Sequence, residues 1–323
     1  MGAGMSETKI QETSSMNLMV TETTASLKMK CPSCGYELGE FPTPEIHSLR
    51  CPKCEYTMTW DSECWDACAD KTYPKDFARQ WVLWEEGKLG DPNLVYGNDP
   101  QYFFRELLEA TSLKEQDLRS MRILEIGYGH GRLLQELQKW SPTAYGIDLA
   151  RPPKSSQLRP GSAIFGNLLA IPFVGGQFDL VICRGVLHHT PDPHQSFLCV
   201  ADQVADNGIL YLAGLYEPGK RRLYLRTILA RSWSYPEPVS LAIASAFGIV
   251  KATIQAAKTL SLKKFKHTYG EYKLAYFDLL APRWQSTHSK EQITGWCESK
   301  GFAVRRIAYG DYVAKKSGAG TGA

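Results

Sequence analysis

The sequence ILEIGYGHGRLL occupies residues 123–134 and decides the fold of this 323-residue chain. It begins with an apolar run that predicts a buried strand, and the leucine spacing after the glycines predicts a helix over 132–140. Between strand and helix lie three alternating glycines, Gly127, Gly129 and Gly131. Glycine adopts positive φ without steric cost and lets a ligand approach the backbone, while the helix behind it offers free N–H groups to an anion. The stretch therefore predicts a strand, a ligand-binding turn and a helix.

The spacing of these glycines separates two classes of cofactor site. A dinucleotide site has the pattern G-x-G-x-x-G, whereas here the third glycine comes one residue early and Arg132 stands in the last position. An acid, Glu125, precedes the first glycine by two residues. The pattern E-x-G-x-G-x-G resembles the first motif of the class I S-adenosylmethionine-dependent methyltransferases. This resemblance implies that the turn holds the methionine half of S-adenosylmethionine.

Two further segments extend the resemblance toward the nucleoside half of the cofactor. The run AYGIDL, residues 144–149, predicts a second strand ending at Asp148, about 20 residues beyond the glycine turn, where a carboxylate can accept hydrogen bonds from ribose hydroxyls. The run GNLLAIPF, residues 166–173, is similar to a methyltransferase segment G-D-A-x-x-L-P-F whose acid contacts the adenine amino group. Asn167 replaces that acid, and its amide oxygen can still accept the hydrogen bond.

The next segments complete the order of motifs in this family. The apolar run 178–183 predicts a central parallel strand, and RGVLHHTPDP at 184–193 resembles the fourth-strand motif of small-molecule methyltransferases. Residues 209–213 predict a fifth strand after a turn at 206–208. The chain thus resembles the ubiquinone-biosynthesis-like type of class I methyltransferase, which implies an α/β fold with a Rossmann-like, seven-stranded sheet and helices on both faces. The residues that the resemblance assigns to S-adenosylmethionine are Glu125, Gly127, Tyr128, Gly129, Gly131, Asp148, Leu149, Asn167, Leu168 and Arg184.

The C-terminal part of the chain fits the same family. Residues 280–302 resemble the closing segment of many ubiquinone-type and natural-product methyltransferases. Within them, Ser289 and Gln292 form a capping-box pattern that predicts the start of a helix ending near Gly301. Residues 302–307 and 309–314 predict a final antiparallel hairpin. The methyltransferase domain is therefore expected to span residues 69–316.

Cysteine spacing near the N-terminus predicts a second module. Cys31 and Cys34 form one C-x2-C pair and Cys51 and Cys54 another, with 16 residues between the pairs. Paired C-x2-C knuckles are typical of a zinc ribbon, in which four thiolates close a tetrahedral, structural Zn²⁺ site. We expect this ribbon to span residues 29–68, to depend on the metal, and to have a core separate from that of the methyltransferase sheet.

Composition narrows the class of protein further. The hydrophobic fraction of 43% is that of a globular chain, and a net charge of +3 is too small to argue for nucleic acid by itself. No apolar run has the length of a transmembrane segment, and residues 1–28 lack the apolar centre of a signal peptide. We therefore expect a cytoplasmic protein, in which the nine cysteines are not a disulfide framework. Residues 1–28 and 317–323 are expected to be flexible tails.

A basic insertion follows the fifth strand. Residues 216–273 contain 11 Lys and Arg against three Glu, which gives a local net charge of +8. Within the insertion, residues 239–250 form a 12-residue apolar run ended by Lys251. The first interpretation of this run is a cap helix buried over the active site, and the second is an interfacial helix with basic flanks. The combination favours a methyl acceptor with an anionic and an apolar part, such as a phosphorylated, carboxylated or lipid-linked metabolite.

Methyl transfer needs a nucleophile that is positioned and deprotonated. The fourth strand is not followed by the Asn/Asp-Pro-Pro-Tyr motif that grips planar exocyclic amines, and His188 and His189 stand there instead. A histidine that titrates near neutral pH can deprotonate a hydroxyl, so these two are the candidate catalytic residues. The alternative is that they orient the backbone or the adenine. His288 is a weaker candidate, and Tyr96 and Tyr102 are candidates for lining the cofactor site.

Three functions remain open from the sequence. The first is S-adenosylmethionine-dependent methylation, expected at oxygen, of a small-molecule or carrier-linked acceptor. The second is methylation of RNA bases, with the zinc ribbon and the insertion gripping phosphates; against it, the ribbon offers only Arg50 and Lys53 against three Glu. The third is a non-catalytic, cofactor-binding scaffold whose ribbon recruits a protein partner.

Overall fold

The structure, a computed structural model, describes residues 26–42, 45–70, 76–90, 99, 101–219, 232–259 and 261–318. Tyr96, residues 1–25 and 319–323 of the expected tails, and residues 220–231 of the insertion lie outside these ranges. Within the described residues the strands are β1 Lys28–Lys30, β2 Glu37–Glu40, β3 Ser48–Arg50, β4 Thr57–Trp60, β5 Trp65–Asp66, β6 Ile123–Ile126, β7 Ala144–Asp148, β8 Ala163–Phe165, β9 Phe178–Arg184, β10 Val204–Ala213, β11 Phe302–Ala308 and β12 Asp311–Lys316. The α-helices there are α1 Asp76–Glu85, α2 Tyr102–Thr111, α3 Arg132–Gln138, α4 Pro193–Ala201, α5 Glu237–Thr259, α6 Leu262–Leu280 and α7 Lys290–Ser299.

A ten-stranded sheet forms the centre of the fold, in the order β11-β12-β10-β9-β6-β7-β8-β5-β4-β3. Strands β8, β7, β6, β9 and β10 are parallel neighbours, and β12 and β11 continue antiparallel from β10. The seven strands from β11 to β8 confirm the predicted Rossmann-like sheet. The chain order reverses at β6, which lies between β7 and β9. In open parallel sheets, ligands bind at the carboxyl ends of the strands beside such a reversal.

Alternate residues of the central strands belong to two different apolar cores. Leu124 and Val181 lie in a core that includes residues of α4 and α7, whereas Ile123 and Leu180 lie in a core that includes residues of α2 and α3. All four side chains are fully buried. Side chains alternate between the faces of a strand, so apolar residues at successive positions require helices on both faces of the sheet.

The second half of the ribbon belongs to this sheet, whereas β1 and β2 form a separate two-stranded sheet. Strand β5 pairs in parallel with β8, and β4 and β3 follow as antiparallel neighbours. The N–H of Lys30 donates to the carbonyl of Pro172 at 2.9 Å, and Met29 is buried in the same core as Leu124. Leu27, assigned to the tail from the sequence, is buried there too. The expectation of a separate ribbon core is therefore wrong, because the unpaired edge of β8 accepts an additional strand.

The predicted element boundaries agree closely with the structure, with one exception at β10. This strand begins at Val204, and the expected turn at 206–208 is an irregularity inside it. There Asn207 has a φ of 62°, and the pairing with β9 skips from Val204 to Ile209. The capping box opens α7 as predicted. The final hairpin turns at Gly310, whose φ is +77° and whose added Cβ would lie 2.2 Å from the carbonyl oxygen of Leu215.

The described part of the insertion contains two antiparallel helices, α5 and α6, packed along each other. Within α5, Glu237–Lys258 is long and apolar enough to cross a membrane by length and composition, with a mean hydropathy of 1.5 and only 22% of its apolar window buried. The expectation that no segment reaches this length is wrong, because the helix continues beyond Lys251. The buried-cap interpretation of residues 239–250 is also wrong, since these residues lie on the mostly exposed helix and α6 faces the site.

Candidate active site

The glycine turn at the carboxyl end of β6 is packed against neighbouring side chains. Gly127 and Gly129 have φ angles of +79° and +54°. A Cβ on Gly127 would lie 2.1 Å from Cγ2 of Val186, and one on Gly129 would lie 2.7 Å from the indole of Trp81. Gly131, also at a φ of +79°, is the residue before the first turn of α3. The turn therefore accepts only glycine at its first two glycine positions without displacing a neighbour.

Two adjoining cavities open beside this turn. The first lies over the ends of β6, β7 and β8 and is called the cofactor cavity. The second extends toward α1 and α6 and is called the acceptor cavity. All the residues assigned to S-adenosylmethionine from the sequence line one cavity or both, except Gly131. The two cavities share Trp81, Gly127, Gly129, Arg184, Gly185 and His189.

Asp148 lies at the end of β7 and lines the cofactor cavity. Its Oδ2 accepts a hydrogen bond from the N–H of Gly129 at 2.7 Å, and its Oδ1 accepts one from the N–H of Ala150 at 2.7 Å. Burial raises the pKa of Asp148 to about 6, although these backbone amides oppose the shift. The carboxylate is thus fixed in orientation, and each oxygen keeps a lone pair for a hydroxyl donor.

Two buried acceptors face the acceptor cavity beside the glycine turn. Glu125 and Gln80 are each only 4% exposed. Glu125 Oε2 and Gln80 Oε1 have no hydrogen-bond partner among the described residues. Burial and the neighbouring Asp148 raise the pKa of Glu125 to about 8. Unpaired buried acceptors are costly, so their position fits a ligand group that donates several hydrogen bonds, such as the ammonium of an amino acid.

Arg184 lies at the junction of the two cavities, at the end of β9. Its Nη1 donates to Oε2 of Glu106 at 2.7 Å, and its guanidinium lies 4.1 Å from the centre of the Phe103 ring. These contacts hold the Arg184 guanidinium in one orientation beside Glu125. A fixed guanidinium in this position suits a ligand carboxylate.

Asn167 is buried and caps the short turn that follows β8. Its Oδ1 accepts a hydrogen bond from the N–H of Leu169 at 3.0 Å. This oxygen is the one that was expected to accept a hydrogen bond from the adenine amino group. One of its lone pairs is already used by Leu169, so only the second remains for the adenine. Leu149 and Leu168 supply apolar walls on the same side of the cofactor cavity.

A cluster of four polar side chains lines the acceptor cavity where it meets the cofactor cavity. The rings of His188 and His189 are 4.0 Å apart, and Tyr216 stacks on His188 at 3.9 Å. Oη of Tyr216 donates to Oδ2 of Asp278 at 2.6 Å, and the same carboxylate oxygen lies 3.8 Å from Nε2 of His189. Nδ1 of His189 lies 3.3 Å from the carbonyl oxygen of Trp284. The cluster joins the end of the fourth parallel strand to α6 of the insertion.

Comparison with known proteins agrees with this geometry. A family model described as a methyltransferase domain matches residues 96–307. The chain belongs to this methyltransferase family. The motif order and the sheet order place it among the class I S-adenosylmethionine-dependent enzymes.

Curated relatives cover part of this methyltransferase. A ubiquinone biosynthesis O-methyltransferase from Colwellia psychrerythraea is 30% identical over 118 residues, which are 34% of this chain and 47% of that protein. The protein of the same name from Ralstonia nicotianae is 26% identical over 139 residues, 39% of this chain and 58% of that one. The chain spans about half the length of the curated relatives it matches. Among solved structures, magnesium protoporphyrin IX methyltransferase of Synechocystis with bound SAH is 15% identical, covers 77% of this chain and 100% of that one, and has a TM-score of 0.42.

Several side chains of the methyltransferase site were not singled out from the sequence. Tyr216 opens the insertion, Asp278 lies on α6 beyond its predicted end, and Gln80 lies on α1; none belongs to a recognisable motif. Trp81 on α1 covers the glycine turn, the position for which Tyr102 was a candidate, whereas Tyr102 is 48% exposed. The helical spacing of the α1 aromatic residues was the available signal for Trp81.

His288 is not among the residues that line the two cavities of the methyltransferase. It is 7% exposed, its Nε2 lies 2.7 Å from Oγ of Ser286, and its ring lies 5.0 Å from that of Trp296. Burial lowers the pKa of His288. These contacts hold the closing segment in place, so the structure does not bring His288 together with the residues that line the two cavities.

The four ribbon cysteines of the methyltransferase lie together, as their spacing predicts. Their sulfur atoms all lie within 4.8 Å of one another, with 3.5 Å between Cys31 and Cys54 and 3.6 Å between Cys34 and Cys51. Four thiolates bound tetrahedrally to Zn²⁺ at about 2.3 Å would be separated by about 3.8 Å. The arrangement therefore fits a single, closed zinc site.

Proposed function

We propose that this methyltransferase methylates a hydroxyl group of a small-molecule or carrier-linked acceptor, with His189 as the general base. The observation that carries the proposal is the position of His189 where the two cavities meet. A hydroxyl must lose its proton as it attacks, and a nearby imidazole is the usual base for such a step. Bound S-adenosylmethionine supplies a methyl group activated on a sulfonium, so the protein needs to supply position and proton removal.

The hydrogen bonds of His189 support its role as base. The carbonyl oxygen of Trp284 can only accept, so the proton of the neutral imidazole is placed on Nδ1. Nε2 is then the basic atom. After it takes the proton of the acceptor, the imidazolium has Oδ2 of Asp278 at 3.8 Å as its counter-ion. Tyr216 donates to the same oxygen and holds the carboxylate in this position.

The chain's residues also support an assignment of each part of the cofactor. Glu125 and Gln80 would accept hydrogen bonds from the ammonium of the methionine half, and Arg184 would pair with its carboxylate. Asp148 would accept from the ribose hydroxyls. Asn167 would contact the adenine. Charged hydrogen-bonding groups at both ends of the glycine turn would orient the cofactor toward His189.

The acceptor cavity supports an acceptor with an apolar body. Phe103, Leu274 and Ala275 contribute apolar walls, and the stacked ring of Tyr216 faces the same space. Among the residues that line this cavity, Glu271 is the charged member of the range 216–273, so the +8 charge of that range favours an anionic group or a phosphate-containing carrier through its long-range field. The curated relatives are O-methyltransferases, which agrees with oxygen as the methylated atom.

We also propose that the ribbon thiolates bind one structural Zn²⁺. The bound metal would order the hairpins that continue into β5. Asp66 of β5 lies 3.2 Å from Nη2 of Arg151, which follows Asp148 by three residues. The metal would therefore support the cofactor cavity from a distance.

Methyl transfer from S-adenosylmethionine labelled on its methyl group tests the proposed reaction. We expect label to enter hydroxylated aromatic or lipid-soluble acceptors in a screened panel. His189→Gln should then lower kcat by about 100-fold to 10,000-fold, because general-base catalysis contributes that much. Asp278→Asn should lower kcat less and shift its pH profile, since it removes only the counter-ion. Cofactor affinity should change little in either variant.

His194→Gln provides the matched control, because His194 lies exposed on α4 away from both cavities. It should keep the wild-type kcat. Unchanged kcat in His189→Gln would eliminate His189 as the base. Label entering only amines, or only RNA, would eliminate the proposed O-methylation.

A further inference from the structure

Helix α5 has an inverted distribution of side chains. The positions that it buries are small residues spaced four apart, Ser240, Ala244, Gly248 and Ala252. A Cβ on Gly248 would lie 3.1 Å from the carbonyl oxygen of Tyr269 on α6. The small residues thus let the two helix backbones approach closely, as small residues do between helices in lipid.

Several large apolar residues of α5 lie on its outer face, whereas Leu241 and Ile243 are partly buried against the core beside α1. Val239, Ile249, Val250 and Ile254 are 44%, 50%, 55% and 51% exposed, and Leu262, at the start of α6, is 84% exposed. A surface helix of a water-soluble domain carries polar residues on its outer face and apolar residues inside. Contiguous exposed apolar residues of this kind mark a surface that is covered by another apolar phase.

Basic residues surround one end of this face. Lys258, Lys264 and Lys266 are exposed beside the connection between α5 and α6. Lys251 lies on the same helix pair, with its Nζ 5.6 Å from the centre of the Tyr272 ring. An apolar face bordered by lysines is complementary to a bilayer whose headgroups are anionic.

The attachment of the helix pair excludes a membrane-spanning arrangement. The N-terminus of α5 is held to the folded body by Glu237, whose Oε2 lies 2.6 Å from Nε of Arg79 on α1. The C-terminus of α6 returns to the same body through Asp278. Both ends therefore lie on one side of any bilayer, and the lysines of α6 cannot enter its hydrocarbon core.

We propose that the α5–α6 pair docks this enzyme on the surface of an anionic lipid bilayer. The outer face of α5 lies among the upper acyl chains, and the lysines contact the headgroups. The proposal does not depend on the methylated atom. Helix α6 also lines the acceptor cavity through Leu274, Ala275 and Asp278. Docking therefore places that cavity beside the bilayer and suits an acceptor dissolved in it.

Sedimentation of the full chain with vesicles tests the proposal without any acceptor. We expect binding to phosphatidylcholine vesicles that contain phosphatidylglycerol and little binding to pure phosphatidylcholine. Val250→Glu combined with Ile254→Glu should weaken binding by about tenfold or more, because both side chains would leave the apolar phase. Lys264→Gln combined with Lys266→Gln should weaken binding severalfold and reduce its salt dependence.

Ile307→Glu is the control, since Ile307 is also exposed, at 37%, but lies on β11. It should bind vesicles like the wild type. Wild-type protein that stays in the supernatant with anionic vesicles overturns the proposal, as does equal binding to neutral and anionic vesicles. A third outcome also overturns the proposal: the wild type associates with itself and does not bind vesicles, and the double variant at Val250 and Ile254 no longer associates. That outcome identifies the outer face of α5 as an interface between copies of the chain. Titration of each variant with S-adenosylmethionine shows whether the variant is folded. Vesicle binding is measured without any acceptor, so its absence refutes the docking proposal and leaves the proposed methylation untouched.

Discussion

Glu125 should make the stability of the cofactor-free protein depend on pH in an unusual direction. Its carboxyl group is 4% exposed, and burial together with Asp148 raises its pKa from an ordinary 4.5 to about 8. A carboxyl whose pKa is raised by folding stabilises the fold in its protonated form. That contribution is complete below pH 4.5 and is lost as the pH rises through about 8. The usual surface carboxylate, paired with a cation, behaves in the opposite way.

The size of the effect follows from the two pKa values. With 4.5 in the unfolded chain and about 8 in the folded one, the unfolding free energy should fall by about 3–4 kcal/mol between pH 5 and pH 8 from this group alone. That is a large share of the roughly 5–15 kcal/mol that stabilises a typical fold. Glu125→Gln keeps the shape of the side chain and cannot ionise, so its stability should lack this decrease. Urea denaturation at several pH values, without cofactor, gives both curves.

Subtracting the Glu125→Gln curve of unfolding free energy against pH from the wild-type curve leaves the contribution of the Glu125 carboxyl group. Asp148 also has a pKa raised by burial, to about 6, and destabilises both proteins as it ionises. Its contribution therefore largely cancels in the difference. Glu109→Gln, on the exposed side of α2, controls for the loss of one negative charge. If wild type and Glu125→Gln lose stability in parallel between pH 5 and pH 8, the carboxyl is not buried in the way described.

Two further predictions concern the glycine turn and the ribbon. Gly127→Ala should weaken cofactor binding by more than about tenfold in calorimetry, because its Cβ would clash with Val186 in addition to the left-handed strain of roughly 1–2 kcal/mol; Gly176→Ala, at φ +73° with nothing within 4 Å, carries the strain alone and should bind normally. Cys51→Ser, or chelation of zinc, should weaken cofactor binding and lower the main calorimetric unfolding transition, since β3–β5 extend the central sheet; separate transitions with unchanged cofactor binding would show that the ribbon folds independently.

The cofactor half of the site could be predicted because short local patterns carry it. Gly127 and Gly129 follow one apolar strand directly, and Asp148 ends the next. Parallel strands bring their carboxyl ends to one edge of the sheet, so sequence order alone places these residues together. Asn167 follows a third such strand. Its cap to Leu169 depends on local geometry that the substitution of an acid by an amide does not reveal.

The acceptor half could be predicted only at His188 and His189, because its other contacts join distant and ordinary residues. Tyr216 and Asp278 are 62 positions apart, and neither stands in a motif. Their contact depends on the docking of α6, whose Leu274 and Phe277 share an apolar core with residues of α1. The full length of α5 was also hidden, because Lys251 interrupts the apolar run that the sequence shows.

The ribbon shows a similar limit. The C-x2-C spacing predicted which sulfur atoms meet, since a knuckle is a local turn. It did not predict the partner of the ribbon, because β5 contains only Trp65 and Asp66. A strand of two residues has no periodicity to detect. Its pairing with β8 is decided by the unpaired edge of the sheet, a property of the folded state.

The sheet and the helix pair α5–α6 form different parts of the site. This division determines which substitutions can change the choice and binding of the methyl acceptor. The carboxyl ends of the strands hold every group assigned to the cofactor except Gln80, and they also carry His189. Helix α6 supplies apolar walls of the acceptor cavity and, through Asp278, the carboxylate beside His189. A change in the docking of α6 therefore moves the walls of the acceptor cavity and Asp278, the proposed counter-ion of the base, at the same time. Substitutions that reposition this helix should change kcat together with the KM for the acceptor, while the affinity for the cofactor stays with the sheet.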